Sequence, residues 1–235
     1  HKDLKKVKKI LDYAKKNKTP VACLVKKNTF SSSVKIKRKV KSSGILRHVL
    51  LKKFLNKINK KTKIISTTGF TSRELFQIRQ NHNLKKGKDF YMVGGMGHSS
   101  MVALGVSNQM KNKEVVCLDG DGSLLMHMGS IANIGFYGKT NFKHIVFNNF
   151  CHESVGGQDT NIEKVSIKKV FLGFGYKKYF YLNSHNKIEI TLKKFLSSKG
   201  PSILEVITKF GSISNLTRPK KLLDVKKNFI DSKEK

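Results

Sequence analysis

Short apolar runs alternate along the chain with longer segments of helix length. The runs are 63-KIISTTG-69, 90-FYMVGG-95, 114-EVVCLDG-120, 144-HIVFNN-149 and 202-SILEVIT-208, with a shorter 178-KYFYL-182 among them. Apolar stretches this short, closed by Gly or Asn, read as strands buried on both faces. Strands separated by helices predict an α/β fold, a doubly wound, mostly parallel sheet. Right-handed crossovers would bring the carboxyl ends of all strands to one edge, where such folds bind ligands. Upstream, Ile45, Leu46, Val49, Leu50, Phe54, Leu55 and Ile58 recur at helical spacing after Gly44 and predict an amphipathic helix. The run 2-KDLKKVKKILDYAKKNKTP-20 predicts an earlier helix, followed by a strand at 21-VACLV-25. Between these two helical patterns, residues 31–43 are rich in Ser and Lys, have no apolar period, and read as a linker. The sheet domain is therefore expected over 44–215, with a basic tail at 216–235.

Charge alters this picture locally. The 235 residues carry 48 Lys and Arg against 15 Asp and Glu, a formal net charge of +33. The lysines are spread through the chain, and no basic run is interleaved with aromatics as base stacking requires. They read as a solvated surface, with no nucleic-acid partner. From Glu114 to Glu163 the balance reverses, with six acidic residues against Lys139 and Lys143. Three cysteines without C-x-x-C spacing suggest neither a disulfide framework nor a zinc site. No apolar run reaches membrane-spanning length and no signal peptide is evident, so a cytoplasmic protein is expected.

The acidic segment holds the candidate chemistry. Asp119-Gly120-Asp121-Gly122-Ser123 closes an apolar strand and opens a helix, where free backbone N–H groups favour a phosphate. A carboxylate beside that anion would repel it unless a hard cation lay between them, and magnesium takes carboxylate and amide oxygens. Asn148 and Asn149, ending the next strand, bring amide oxygen to the same edge. Taken alone, the turn could equally be an ordinary strand-to-helix turn with a capping aspartate.

The G-D-G turn followed by N-N resembles the thiamin diphosphate signature. That resemblance implies magnesium ligands at Asp121, Asn149 and the backbone carbonyl of Cys151, a position where relatives often carry glycine. The segment 94-GGMG-97 looks like the Gly-x-Met-Gly of these enzymes, implying that Gly94 and Met96 hold the cofactor in its bent form. Three stretches, 66-STTGFTSREL-75, 91-YMVGGMGHSS-100 and 147-FNNFCHESVGGQDT-160, are similar to the phosphonopyruvate decarboxylase family of 2-oxo acid decarboxylases. Sulfopyruvate decarboxylase is a close relative, and the similarity runs roughly from residue 20 to 210.

The resemblance implies a carboxy-lyase that uses thiamin diphosphate and Mg2+ to convert 3-phosphonopyruvate to phosphonoacetaldehyde and CO2. It adds Gly97, His98, Gly120, Gly122, Ser123, His152, Glu153 and Ser154 to the cofactor contacts. His98 and His152 stand beside the glycine turns as candidate proton carriers, although a histidine at a turn is also often structural. Ser72 and Arg73 are the candidate substrate contacts, because a guanidinium can grip a phosphonate bidentately. Arg73 could instead pair with Glu74. Such enzymes complete the site with a pyrimidine-binding domain, of which residues 1–30 look like the tail, and act as homo-oligomers. The glutamate that protonates the cofactor would then lie outside this chain. The rivals are the same scaffold acting on sulfopyruvate or another 2-oxo acid, and a non-catalytic cofactor-binding subunit.

Overall fold

In the computed structural model, residues 2–26, 29–30, 43–81, 89–110 and 113–230 are described. Two compact units are present, residues 1–37 and 38–235.

In the first unit, α1 (Lys2–Asn17) is the helix expected from the lysine-rich run. Lys18, at φ +50°, ends it with a left-handed turn. The strand expected at 21–25 is not formed: residues 19–26 are irregular and Leu24 is 96 % exposed. Apolar residues alone cannot make a strand, because its N–H and C=O groups need a neighbouring strand. The linker expected at 31–43 lies, except for Ser43, outside the described residues.

The second unit is built on six strands: β1 (Lys63–Ser66), β2 (Asp89–Tyr91), β3 (Val115–Gly120), β4 (Phe142–Asn148), β5 (Lys178–Leu182) and β6 (Ser202–Ile207). All pairings are parallel, in the order β2-β1-β3-β4-β6-β5. Each strand predicted for this domain is present. Every residue of β1, β4 and β6 is buried, as continuous apolar runs require.

Within the strands, side chains alternate between two cores. Ile64, Val116, Leu118, Ile145, Phe147, Leu204 and Val206 face one side. There they pack with α2 (Arg47–Lys57), α3 (Phe70–Asn81) and α8 (Ile188–Ser197). Ile65, Val115, Cys117, Phe142, Val146 and Ile203 face the other side. Their partners are α4 (Ser99–Gln109), α6 (Ser130–Tyr137) and α7 (Ile167–Gly173).

The helix predicted from Gly44 begins three residues later, at Arg47. Gly44 instead lets the chain pass against the end of β6: its φ is +136°, and an added Cβ would come within 2.9 Å of the Lys209 nitrogen. Ile45 bridges Thr208 there, donating its N–H to the Ile207 carbonyl at 2.9 Å. The expected basic tail also contains structure. A ninth helix, α9 (Leu222–Ile230), places Phe229 against Phe90 at 5.4 Å and takes the Lys63 ammonium on the Phe229 carbonyl at 2.6 Å. It thereby packs over β1 and β2 on that face of the sheet. Lysine-rich composition concealed its amphipathic pattern. No helix among the described residues is long and apolar enough to cross a membrane.

Candidate functional site

The sheet order reverses direction around β1 and β3, so a crevice opens beyond their carboxyl ends. A cleft open to solvent occupies that place. From β1 and the start of α3 it is lined by Thr67, Thr68, Gly69, Phe70 and Thr71. From β3 and α5 (Asp121–Met126) come Gly120, Asp121, Gly122 and Ser123. From β4 and the loop after it come Asn149, Cys151, His152, Glu153 and Ser154, with Met96 and Arg47 completing the wall.

Ser123 fastens three strand ends together. Its hydroxyl accepts the Gly97 N–H at 3.0 Å and lies 2.8 Å from the Thr67 hydroxyl. Thr67 in turn donates its backbone N–H to the Leu118 carbonyl at 2.8 Å. Gly97, at φ +86°, must be bare because a Cβ would strike the His127 ring at 2.4 Å. An added Cβ at Gly120 meets nothing within 4 Å, so the backbone at this point is open to whatever fills the cleft.

Asp121 is 3 % exposed and accepts the Thr160 hydroxyl on Oδ2 at 2.7 Å. Burial pushes its carboxyl up to about 6, against the Thr160 hydroxyl and nearby backbone amides, which favour the charged form. The paired asparagines divide their work. Asn148 turns into the sheet and donates to Glu205 at 2.9 Å, while Asn149 lines the cleft. Phe150 takes φ +64°, and this kink carries the chain from Asn149 to Cys151. Burial first, then the Asp121, Glu153 and Asp159 charges, push the Cys151 thiol up to about 11. The side chain is thus a neutral thiol, and its backbone carbonyl is the part suited to a hard cation.

The run 152-HESVGGQ-158 closes on itself. His152 donates its N–H to the Gln158 carbonyl at 2.8 Å and accepts the Gly157 N–H at 2.9 Å. The His152 ring lies directly over Gly122, 2.6 Å from where a Cβ would stand.

Ten of the predicted contacts line the cleft: Met96, Gly120, Asp121, Gly122, Ser123, Asn149, Cys151, His152, Glu153 and Ser154. Others do not. Gly94 and Gly97 lie on the loop behind Met96. His98 stacks on His127 at 4.1 Å and does not line the cleft. The Ser72 hydroxyl is consumed by the Thr67 carbonyl at 2.6 Å, where it locks the turn into α3. Arg73 reaches the Leu216 carbonyl at 3.0 Å, lies over the Phe70 ring and does not line the cleft. Neither of these two expected substrate contacts is among the residues that line the cleft.

Arg47 is the residue that the sequence reading missed. It is buried, donates from Nε to Glu74 at 2.9 Å and from Nη2 to Glu153 at 3.1 Å. Glu153 also accepts the Asn149 amide at 3.0 Å and the Gly211 N–H at 2.6 Å. An arginine amid many lysines was the available signal, since its planar fork holds spread donors in fixed directions, Nε toward one carboxylate and Nη2 toward another, whereas an ammonium is a compact point charge.

The donor set fits the cation and diphosphate implied by the motif. One carboxylate, one amide and one backbone carbonyl are hard oxygen donors, and the bare Gly120 backbone leaves room for an anion.

A parallel sheet with oxygen donors and glycine turns at its switch point defines a cofactor-binding α/β domain. The family described as "Thiamine pyrophosphate enzyme, C-terminal TPP binding domain" matches residues 67–206, and the chain belongs to it. Phosphonopyruvate decarboxylase of Streptomyces viridochromogenes is 35 % identical over 170 residues, 72 % of this chain and 41 % of that protein. Sulfopyruvate decarboxylase subunit beta of Methanococcus maripaludis is 31 % identical over 141 residues, 60 % of this chain and 72 % of that one. The chain thus spans about two fifths of the phosphonopyruvate decarboxylases it matches. Among solved structures, the thiamine diphosphate-dependent 4-hydroxybenzoylformate decarboxylase of Rhodococcus jostii RHA1 shares the fold. Its TM-score is 0.60 at 16 % identity, covering 83 % of this chain and 37 % of that one.

Proposed function

We propose that this chain is the diphosphate-binding part of a thiamin diphosphate- and Mg2+-dependent decarboxylase that converts 3-phosphonopyruvate to phosphonoacetaldehyde and CO2. The observation that carries this reading is the convergence of Asp121, Asn149 and the Cys151 backbone on one cleft at the carboxyl ends of β3 and β4. Asp121, Asn149 and the Cys151 carbonyl would hold the magnesium. Gly120 and Gly122 let the backbone approach the diphosphate, and Met96 supports the rest of the cofactor. Thiamin diphosphate, when bound, supplies the electron sink for loss of carbon dioxide.

Within that arrangement, His152 is placed to move a proton at the cleft, because its ring lies over Gly122 and lines the wall. Glu153 orients the Asn149 amide. The substrate's second anion is read at the start of α3, by Thr68 and the backbone of Gly69 and Phe70. There Arg47 is already committed to two carboxylates. Phosphonopyruvate is favoured as substrate by the similarity of 34–35 % to two decarboxylases of that name. A pyrimidine-binding domain, in the same polypeptide or on another subunit, completes the site.

A second reading, sulfopyruvate as substrate, is supported by relatives named as beta subunits, whose lengths this chain largely covers. Carbon dioxide release by the full-length protein, supplied with any partner subunit, separates the two. Phosphonopyruvate should give the highest kcat/KM, ahead of sulfopyruvate and pyruvate. A preference for sulfopyruvate would move the assignment to the second reading, and no release from any of the three would end both.

A further inference from the structure

On the face of the sheet covered by α4 and α7, a second group of chemistry-bearing side chains lies outside the cofactor cleft. Cys117 on β3 and His144 on β4 are register partners. Asp119, two residues along β3, projects to the same face. Cys117 and His144 are 0 % exposed and Asp119 is 1 % exposed. One ligand-capable atom from each lies within 4.8 Å of the others. Their surroundings are aromatic, with the Phe142 and Phe171 rings 6.1 and 5.5 Å from the imidazole.

A buried His–Asp ion pair would be the ordinary explanation, but the two groups stand within ion-pair range without a hydrogen bond between them. His144 Nε2 stands 3.5 Å from Asp119 Oδ2 and has no hydrogen-bond partner among the described residues. Asp119 Oδ1 accepts the Gly120 N–H at 2.9 Å. Meanwhile His144 Nδ1 is anchored on the Tyr176 hydroxyl at 3.0 Å. One nitrogen fixed by a hydrogen bond and the other left bare is the division a metal-binding histidine shows. The Ser99 hydroxyl, also buried, lies beside the Cys117 sulfur.

We propose that Cys117, Asp119 and His144 form a metal site for a divalent ion of the zinc class, built into the core between β3 and β4. A thiolate, an imidazole and a carboxylate suit zinc, whereas magnesium takes hard oxygens, so the two sites differ in chemistry. Ligands bound at roughly 2.0–2.3 Å to one ion sit within about 4 Å of one another, so modest side-chain rotation closes the group. The Ser99 hydroxyl is placed to supply a fourth oxygen. Metal entry displaces the Cys117 proton to solvent, leaving the thiolate as ligand. Because the group is buried, the ion is taken up as the chain folds. It then ties together the two strands that lead into Asp121 and Asn149.

Metal analysis of the full chain, produced in zinc-supplemented medium and then dialysed against zinc-free buffer, tests this. One zinc per folded chain is expected. Cobalt supplied in place of zinc should give a thiolate-to-cobalt charge-transfer band in the near ultraviolet. Cys117→Ser and His144→Gln should lose the metal and the band, while Asp121→Ala keeps both. Folded wild-type protein that retains neither metal would overturn the site, as would Cys117→Ser protein that retains full metal. Should the variants not fold, X-ray absorption on the wild type decides: one sulfur with nitrogen and oxygen neighbours supports the site, and no sulfur overturns it.

Discussion

Glu153 Oε2 accepts the Asn149 amide at 3.0 Å and the Arg47 guanidinium at 3.1 Å on the same oxygen. Because a carboxylate can only accept, the Asn149 nitrogen must point at it, which fixes where the amide oxygen lies. Glu153 thus acts on the proposed metal ligand without being one. Glu153→Gln should weaken magnesium-dependent thiamin diphosphate binding about 10- to 100-fold, the usual loss when a ligand's supporting contact is removed. Titration calorimetry reads this directly, and an unchanged affinity would mean that Asn149 needs no support.

Arg47 holds Glu74 and Glu153 together in a buried place. Arg47→Met leaves both carboxylates without their cation and should cost about 3–5 kcal/mol of stability in urea unfolding. Arg47→Lys should recover a part of this, because the ammonium keeps the charge but not the spread, fixed donors of the fork. Full recovery by lysine would show that the charge matters and the fork does not.

The Arg73 guanidinium meets the Leu216 carbonyl, lies over the Phe70 ring and does not itself line the cleft. Arg73→Ala should therefore cost about 1 kcal/mol of stability and reduce kcat/KM equally for phosphonopyruvate and pyruvate. A loss confined to phosphonopyruvate would put Arg73 in the substrate pocket after all.

Gly44→Ala should destabilise the sheet domain by about 1–3 kcal/mol, since φ +136° and a backbone nitrogen at 2.9 Å both oppose a side chain. A melting temperature equal to the wild type would show that the Ile45–Thr208 bridge can shift at no cost.

What could be read from the sequence was local. Strands β1 to β6 were legible because each is a short apolar run, and in β1, β4 and β6 burial on both faces demands such a run. Asp121, Asn149 and Cys151 were legible because each sits at a strand end beside a glycine or a paired amide. The Arg47–Glu74–Glu153 group was not, because its members stand 27 and 106 residues from Arg47 and charge alone does not choose partners in so basic a chain. Asn148 and Asn149 look alike in sequence; only the alternation of β4 sends the first to Glu205 and the second to the cleft. Residues 21–25 misled because apolar content was counted without a pairing partner, and α9 was hidden by its lysines.

The central claim is that Asp121 and the end of β4 bind a cation that holds a diphosphate. Calorimetric titration of thiamin diphosphate into the full-length protein, with magnesium and then with a chelator, tests it most directly. Wild-type protein should bind with magnesium and lose that binding with the chelator, and Asp121→Ala should not bind in either condition. Equal affinity in the wild type and in Asp121→Ala, or binding indifferent to magnesium, would contradict the account.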